Sequence, residues 1–577
     1  MAVVESGRAV ENAEVAELLD RLGDLLEIEG ANPFRVRAYR TAARTVRDLP
    51  QSLAALVAGG KDLAELPGVG HDLAQKLVGI IQSGRFAALE EARARVPAGL
   101  ADLVELPGVG PKRAKALYDE LGITTLEELA AALRAGRVHG HHGFGERSEL
   151  KLLHELERRK EPERRVLLAD VEPVAQAVVH HLQGARGLSR AIVAGSYRRR
   201  RESVRDLDVL VTATDPAAAT ERLLSFEDVE EVLAHGPTRS TVRLRSGLQV
   251  DLRVVADDSY GAALCYFTGS MPHSVAVRRL AQRAGLKLNE YGVFRDGERL
   301  GGRTEREVFG LVGLPYIEPE LRENRGEIEA ALNRRLPRPL RERDIRGDLR
   351  VHSSAGGREG LRGLAQAALE RGYEYLAVAD RTPLAGGPGP RRLRRQLDEI
   401  ERLNDELGGR PVLLKSAEVE ILEDGSLDLP ERLLARLDLT VCAVHGRFDL
   451  SKRRQTDRVV RAMESPYFTI LAHPTGRVVN EPEPYDLDLE RVIEAAHEHG
   501  RFVELDARPE RLDLSDTHCK LAKEKGVPVA ISSAASTSAE LDFLRFGVDQ
   551  ARRGWLEPAD VLNTRPLDEL RRLIARR

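Results

Sequence analysis

Asp206 and Asp208 stand two residues apart in Arg205-Asp-Leu-Asp-Val-Leu-Val211, among core-type Leu207, Val209 and Leu210. On a strand, side chains at that spacing leave the same face. Two carboxylates crowded there repel each other unless a cation lies between them. A second apolar run, Leu248-Gln-Val-Asp-Leu-Arg-Val254, brings up Asp251. Three aspartates on adjacent strands make a ligand set for two magnesium ions, with manganese as the alternative. One ion would activate a hydroxyl nucleophile, and the other would neutralise a triphosphate and its leaving group. A lone Asp-x-Asp is commonly just a surface strand end. Gly195-Ser196 upstream and Asp251 downstream favour the chemical reading here.

Such carboxylates need a sheet, and short apolar strands are predicted at 191–194, 207–212, 241–244 and 248–255, with helical segments returning up to about Leu332. Up to about Arg159 the pattern is helical throughout. There a unit repeats, Leu63-Ala-Glu-Leu-Pro-Gly-Val-Gly70 and Leu103-Val-Glu-Leu-Pro-Gly-Val-Gly110, each followed by a basic amphipathic helix, Lys112 lying on the second. Gly68 with Gly70, and Gly108 with Gly110, permit tight turns whose outward amides, with a helix N-terminus, can hold a DNA phosphate without reading a base. Gly143-Phe-Gly145 is a looser third copy. For one isolated copy a plain interhelical turn would explain as much.

The 577 residues exceed one hydrophobic core and suggest three to five domains. The net charge of −4 is unlike that of a protein that coats nucleic acid, so DNA binding rests on local motifs. Cys265, Cys442 and Cys519 lack metal-type spacing and read as reduced thiols of a cytosolic protein. Met1 to Asn12 has no signal-peptide pattern, and no apolar run is long enough for a bilayer. Residues 333–346, with Pro337 and Pro339 among arginines, read as a linker. Beyond it, apolar strands at 376–379, 412–417, 439–444, 468–472, 502–505 and 527–531 alternate with helices, implying a parallel α/β layout, barrel or doubly wound.

Asn32-Pro-Phe-Arg-Val-Arg-Ala-Tyr-Arg40 with the first glycine turn resembles the N-terminal domain of the family X DNA polymerases, and Val193–Val209 with Asp251 resembles their nucleotidyltransferase palm. The resemblance spans residues 8 to 332. It implies that Asp206 and Asp208 bind both metals and that Asp251 helps deprotonate the primer hydroxyl. Gly195, Ser196 and Arg199 match residues that hold the incoming triphosphate. Tyr266-Phe-Thr-Gly-Ser270 matches the segment against the nucleotide sugar, with Tyr266, Phe267 and Gly269, and Arg278 matches a template contact. Glu290–Phe294 and Ile317–Asn324 look like the end of the same catalytic unit. Lys76 matches the lyase lysine that forms a Schiff base with an abasic sugar, and Arg35 and Tyr39 match its 5′-phosphate contacts. A solvated helix lysine is the plain alternative for Lys76. Asp72 reverses the charge of a further family lysine, Arg200 and Arg205 replace family glycines, and Ser274 replaces an asparagine that touches the base. An arginine still offers positive charge to a phosphate, so these substitutions read as altered affinity.

From Asp344 on, Arg346-Gly-Asp-Leu-Arg-Val-His-Ser353, Ala443-Val-His445, His473-Pro-Thr-Gly-Arg477 and Arg511-Leu-Asp-Leu514 resemble the polymerase-and-histidinol-phosphatase (PHP) domain that follows bacterial family X polymerases. Active members hold a trinuclear metal cluster at the strand ends and act as 3′-to-5′ exonucleases. Here Arg350, Gly357, Arg381, Ala534 and Ser536 stand at ligand positions. His352, Glu418, His445 and His473 remain, and the last three correspond to one site, a His₂Glu set suited to a single zinc or manganese ion. Packed polar core groups are the alternative.

The expected architecture is multidomain α+β and α/β. It comprises a helical helix-hairpin-helix region (1–95 lyase-like, 96–165 fingers-like), a mixed-sheet nucleotidyltransferase palm (166–260), a thumb (261–332), a linker (333–346) and a distorted β/α PHP barrel (347–577). The expected activity is gap filling in DNA repair, including base excision repair. The expected partners are gapped or nicked DNA and dNTPs, with no membrane, for a monomeric, cytoplasmic, nucleoid-associated protein whose nuclease is lost. A gap-binding scaffold dead at both sites, and a polymerase with residual exonuclease, are the alternatives.

Overall fold

The computed structural model describes residues 12–576 except 49–52, 59, 67, 84–85, 105, 107–108, 142–143, 146–148, 150–151, 154–155, 157–164, 354–359, 384–386 and 388. The chain forms two compact units, Met1–Arg164 and Arg165–Arg577.

The first unit is helical. Along Asn12–Ile28, Val15, Leu19, Leu22 and Leu26 recur at helical spacing and bury against Val36, Ala43 and Val46 of Pro33–Asp48. The two glycine turns share one hydrogen-bond pattern. The Val69 amide donates to Leu66 O (3.0 Å) and Ala74 to Gly70 O (2.8 Å), while Val109 donates to Leu106 O (2.9 Å) and Ala114 to Gly110 O (3.0 Å). Helices His71–Ser83 and Pro111–Leu121 follow. Gly68 has φ +75°, and a Cβ there would meet Thr41 Cγ2 at 2.5 Å, so the turn requires glycine. Gly108 and Gly143 lie outside the described residues.

In the second unit the palm has five strands: β1 (Leu188–Val193), β2 (Asp206–Ala213), β3 (Val229–His235), β4 (Arg239–Leu244) and β5 (Gln249–Val255). Their spatial order is β1-β2-β5-β4-β3, with β2 and β5 parallel and the other pairs antiparallel. Leu207, Val209, Val211, Val250 and Leu252 share a core with Val171, Ala175, Val178 and Leu182, one stripe of helix Leu168–Gln183. Each such side chain stabilises the sheet by roughly 1.5–3 kcal/mol. Alternation then puts Asp206, Asp208 and Asp251 on the other face, and a one-residue slip of β2 would reverse it. The predicted strands are present, three of them extended at one or both ends, the first ending one residue sooner and the last starting one residue later than expected. The exposed edge strand β3 was not predicted, because its residues Val229-Glu-Glu-Val-Leu-Ala-His235 do not alternate cleanly.

One expectation is corrected in the thumb. Between helices Met271–Arg283 and Glu305–Leu311 lies a three-stranded antiparallel sheet, Lys287–Asn289, Gly292–Arg295 and Glu298–Gly301, where helices were expected throughout. Strands this short show no periodicity. The Asp296-Gly297 turn, both residues at positive φ, was the available hairpin signal.

The last domain holds parallel strands β6 (Gly347–Val351), β7 (Tyr375–Val378), β8 (Val412–Lys415), β9 (Glu418–Glu420), β10 (Val441–Ala443), β11 (Ile470–Leu471), β12 (Phe502–Asp506) and β13 (Val529–Ser532). They form a three-stranded sheet, β6-β7-β8, and a five-stranded sheet, β9 to β13. Isolated bridges Val351–Ala535 and Arg381–Glu418 connect the neighbourhood of one sheet to that of the other. The predicted strand 412–417 is broken at Ser416–Ala417 into β8 and β9, and the fully buried β6 escaped prediction because Asp348 and Arg350 interrupt its apolar run.

The expected linker is pinned. Leu340 and Ile345 are buried in the last domain's core, the Arg338 amide donates to Glu557 Oε1 (2.7 Å), and Arg346 donates to Asn563 O (2.8 Å). The sequence left open how this domain is placed on the palm. Its Leu512 and Phe546 lie within the palm's own core.

Candidate active site

Parallel pairing of β2 with β5 sets Asp208 directly opposite Asp251, with Asp206 opposite Gln249. Burial, then repulsion from Asp206 and Asp251, pushes the Asp208 carboxyl up to about 7, although Arg199 and Arg253 oppose the shift. Asp251 is oriented from both sides: Thr241 Oγ1 donates to Oδ1 (2.6 Å) and Gln249 Nε2 to Oδ2 (2.6 Å). Neither orienting residue was singled out from the sequence. Gln249 was legible as the same-face neighbour of Asp251 on its strand, whereas Thr241 arrives from β4. This crowd of hard oxygen donors, repelling itself without a counter-ion, fits Mg²⁺ or Mn²⁺. Arg205 lies 3.3 Å from Asp206 Oδ2, an exposed pair on the ligand itself.

The chain turns directly above these carboxylates in the short helix Gly195–Arg198. Gly195 has φ +59°, and a Cβ there would lie 2.2 Å from Asp208 Oδ2. Ser196 follows in the turn. Arg199 is tied down by two contacts, Nη1 donating to Thr268 O (2.5 Å) and Nε to Glu323 Oε1 (3.1 Å). A Cβ on Gly269 would approach Arg199 Nη1 to 3.1 Å, so the triphosphate-type turn and the Tyr266–Ser270 segment meet at this side chain. Tyr266 and Phe267 pack edge to face at 5.1 Å, and the Arg278 guanidinium lies 5.8 Å from the half-exposed Tyr266 ring. Ser274 O accepts from Arg278 Nε (3.3 Å). Arg200 corrects an expectation: its guanidinium offers no charge to a phosphate, since Glu172 and Asp549 hold it at 2.6 Å each.

The turn is also latched to the thumb. Arg198 makes a forked contact with Glu305 (2.8 and 2.6 Å), and fully buried Arg322 reaches the same carboxylate at 2.7 Å. Burial alone would raise the Glu305 carboxyl, but Arg198 and Arg322 outweigh it and bring it from 4.5 to about 2. The folded value lies below the unfolded one, so the contribution, about 3 kcal/mol, is complete above about pH 4.5 and is lost as pH falls through about 2. Thermal melts should therefore show a Glu305→Gln penalty at pH 7 that largely vanishes near pH 2.5. An equal penalty at both pH values would contradict the latch.

In the first unit, Lys76 Nζ contacts Asp72 Oδ2 (2.5 Å) and the hydroxyl of buried Tyr39 (3.1 Å), while Arg35 is exposed. Partial burial works against the ammonium, yet Asp72 and Tyr39 raise the Lys76 pKa overall. A Schiff-base nucleophile must be the free amine, so an ammonium favoured by Asp72 and Tyr39 would work against a lyase role for Lys76. Asp72→Ala should increase borohydride-trapped adduct with an abasic-site DNA by roughly threefold at pH 8. An unchanged yield would remove Asp72 as the cause.

In the last domain Glu418, His445 and His473 come together, with donor atoms all within 4.8 Å of one another. His352 Nε2 lies 3.8 Å from Glu418. His445 sits between Glu418 (2.6 Å) and Glu420 (2.8 Å), which raise its pKa against the effect of burial. Burial lowers His473 to about 4, and its Nδ1 has no hydrogen-bond partner. The ligand position lost to Arg350 is filled by charge. Its fully buried guanidinium meets Asp506 (2.6 Å), Glu418 (3.1 Å) and, without hydrogen-bond alignment, Glu504 (2.9 Å). Arg381 adds a contact to Glu418 at 3.2 Å, and Arg508 one to Asp506 at 2.6 Å. A three-metal cluster does not fit among these guanidinium groups. The His₂Glu donors could take at most one ion, on a carboxylate already shared by two arginines. Gly357 lies outside the described residues, and Ala534 and Ser536 bring no ligand.

Parts of the chain match known families. Residues 263–323 match the DNA polymerase beta thumb family, 10–86 a helix-hairpin-helix domain, and 100–158 a SAM-like helix-hairpin-helix tandem. The DNA polymerase/3′-5′ exonuclease PolX of Bacillus subtilis is 34% identical over 572 residues, 98% of this chain and 99% of that protein. A probable phosphatase of Caldanaerobacter subterraneus is 31% identical over 182 residues, 30% of this chain and 67% of its own. DNA polymerase lambda of Rattus norvegicus is 26% identical over 344 residues, 54% of this chain and 56% of its own.

Proposed function

The chain belongs to the bacterial PolX branch of the family X DNA polymerases, and from that premise we propose that it fills short gaps in damaged DNA by template-directed nucleotidyl transfer. The observation that carries this reading is the Asp206–Asp208–Asp251 cluster beneath a turn that Gly195 and Arg199 hold against the thumb. Asp206 and Asp208 would hold both divalent ions, and Asp251 one of them. When bound, these ions neutralise the triphosphate and ease ionisation of the primer hydroxyl. Asp251, fixed by Thr241 and Gln249, is aimed to take the hydroxyl proton. Ser196 and Arg199 bind the triphosphate, and Tyr266 and Phe267 face the sugar. Arg278 contacts the template, and the Gly68–Gly70 and Gly108–Gly110 turns with Lys112 grip backbone phosphates. Gapped DNA and dNTPs are the partners of a monomer working on the cytoplasmic nucleoid. No described helix is long and apolar enough to cross a membrane.

The exonuclease in the Bacillus relative's name is not carried over. Arg350 and Arg381 take up the carboxylates that metal ions would need, so the domain keeps its fold without hydrolysis. The test is single-nucleotide insertion into a 5′-phosphorylated gapped duplex, with magnesium and with manganese. Insertion by the wild type should fall by at least about 1,000-fold in Asp206→Ala. Tight gap binding without insertion by either protein would leave a DNA-holding scaffold instead.

A further inference from the structure

Arg200 occupies a left-handed backbone position, φ +55°, at a cost of roughly 1 kcal/mol over glycine. Its side chain leaves the nucleotide site for the last domain. There Asp549, on helix Leu544–Arg553, takes Nε at 2.7 Å, while Glu172 of the palm takes Nη2 at 2.6 Å. Four residues along that helix, buried Arg553 makes three contacts. It donates to the Arg199 carbonyl (2.8 Å), to Glu323 Oε1 (3.0 Å), and to Asp516 of its own domain (2.6 Å). Glu323 Oε1 is also the acceptor for Arg199 Nε at 3.1 Å. One carboxylate oxygen thus serves both arginines, and Arg553 holds the main chain and, through Glu323, the side chain of Arg199. Phe546, three residues before Asp549 on the same helix, is buried in the palm core.

We infer that Asp549 and Arg553 are positioning residues for the polymerase site. The last domain braces the turn that presents Arg199 to the incoming triphosphate. Arg199 is exposed by only 12%, and burial works against its charge while Glu323 supports it. Left to Glu323 alone, the guanidinium would be neutralised by a full ion pair. Sharing that carboxylate with Arg553 keeps charge available for phosphate oxygens. The domain that lacks most of a three-metal ligand set would therefore contribute to nucleotide binding through helix Leu544–Arg553.

This rests on the role proposed above for Arg199, and the test separates the two. Arg553→Met, Arg553→Lys and Asp549→Asn are made in the full chain and assayed by dNTP-dependent insertion into gapped DNA. Direct dNTP binding is measured in parallel on a complex with a dideoxy-terminated primer. Arg553→Met should raise KM for dNTP and weaken dNTP binding about tenfold, with kcat and affinity for gapped DNA within about twofold. Asp549→Asn should shift KM in the same direction, and Arg553→Lys should recover most of the loss. Unchanged dNTP binding in a folded Arg553→Met protein overturns the proposal. So does a parallel fall of kcat, DNA affinity and thermal midpoint without rescue by lysine, which is the signature of a structural role alone. If the wild type binds dNTP but Arg199→Ala binds it equally well, the assignment of Arg199 fails and takes the inference with it.

Discussion

Gly195→Ala is expected to reduce nucleotide insertion by at least about 100-fold while lowering stability by only about 1–2 kcal/mol. Two independent constraints meet at this residue. Its φ of +59° is a conformation that alanine adopts at a cost, and an added Cβ would stand 2.2 Å from Asp208 Oδ2 and 3.2 Å from Asp208 Cγ. The carboxylate cannot simply step aside, because register sets it against Asp251 and the neighbouring Leu207 and Val209 are locked in the palm core. Either Asp208 or the triphosphate turn must shift, and an ångström of misplacement at such a site is worth about two orders of magnitude in rate. Steady-state insertion with magnesium, beside a thermal melt, checks this. Near-normal insertion would show that Asp208 needs no fixed place, which the two-metal reading cannot accommodate.

Glycine 195 also shows what a sequence discloses. Gly-Ser followed by Asp-x-Asp is local, so its chemistry could be read in a single pass along the chain. The same holds for the repeated Leu-Pro-Gly-Val-Gly turns and for palm strands whose alternation puts Leu207 and Val209 on one side and the aspartates on the other. What stayed hidden was non-local or too short to carry a pattern. Arg200 and Asp549 are 349 residues apart, so an arginine at a family glycine position read as a phosphate contact when it is a bolt to another domain. Thr241 reaches Asp251 only because β4 pairs with β5. The thumb strands, three or four residues each, were submerged in the surrounding helices, and β6 was masked by Asp348 and Arg350, whose polar atoms turn out to be taken up inside the protein. The loss of PHP ligands was legible position by position. That one replacement, Arg350, would become the counter-ion of buried carboxylates was not, since its acceptors Glu418 and Asp506 lie 68 and 156 residues away.

Arg350→Met should destabilise the protein by roughly 3–5 kcal/mol and lower the midpoint for melting of the second unit by about 5 °C, with no gain of nuclease activity. The guanidinium and its acceptors Glu418, Glu504 and Asp506 are wholly shielded from water. Burial pushes Glu504 toward the neutral acid, while Arg350, helped by Arg508, holds Asp506 ionised against burial. Removing the cation leaves at least two buried carboxylates charged or forced to take up protons, and methionine offers volume without compensation. Arg350→Lys should recover only part of the loss, because an ammonium cannot span three acceptors as the planar fork does. Calorimetry of the full chain, with metal analysis of the same samples, decides the matter. If Arg350→Met kept its stability and took up zinc or manganese in stoichiometric amount, the pocket would be a metal site that an arginine merely obstructs. The geometry argues otherwise. A guanidinium fixed to the chain supplies the charge that ions would have supplied from solution. Strands that in active PHP domains would bring ligands to metals are here held together by an internal cation.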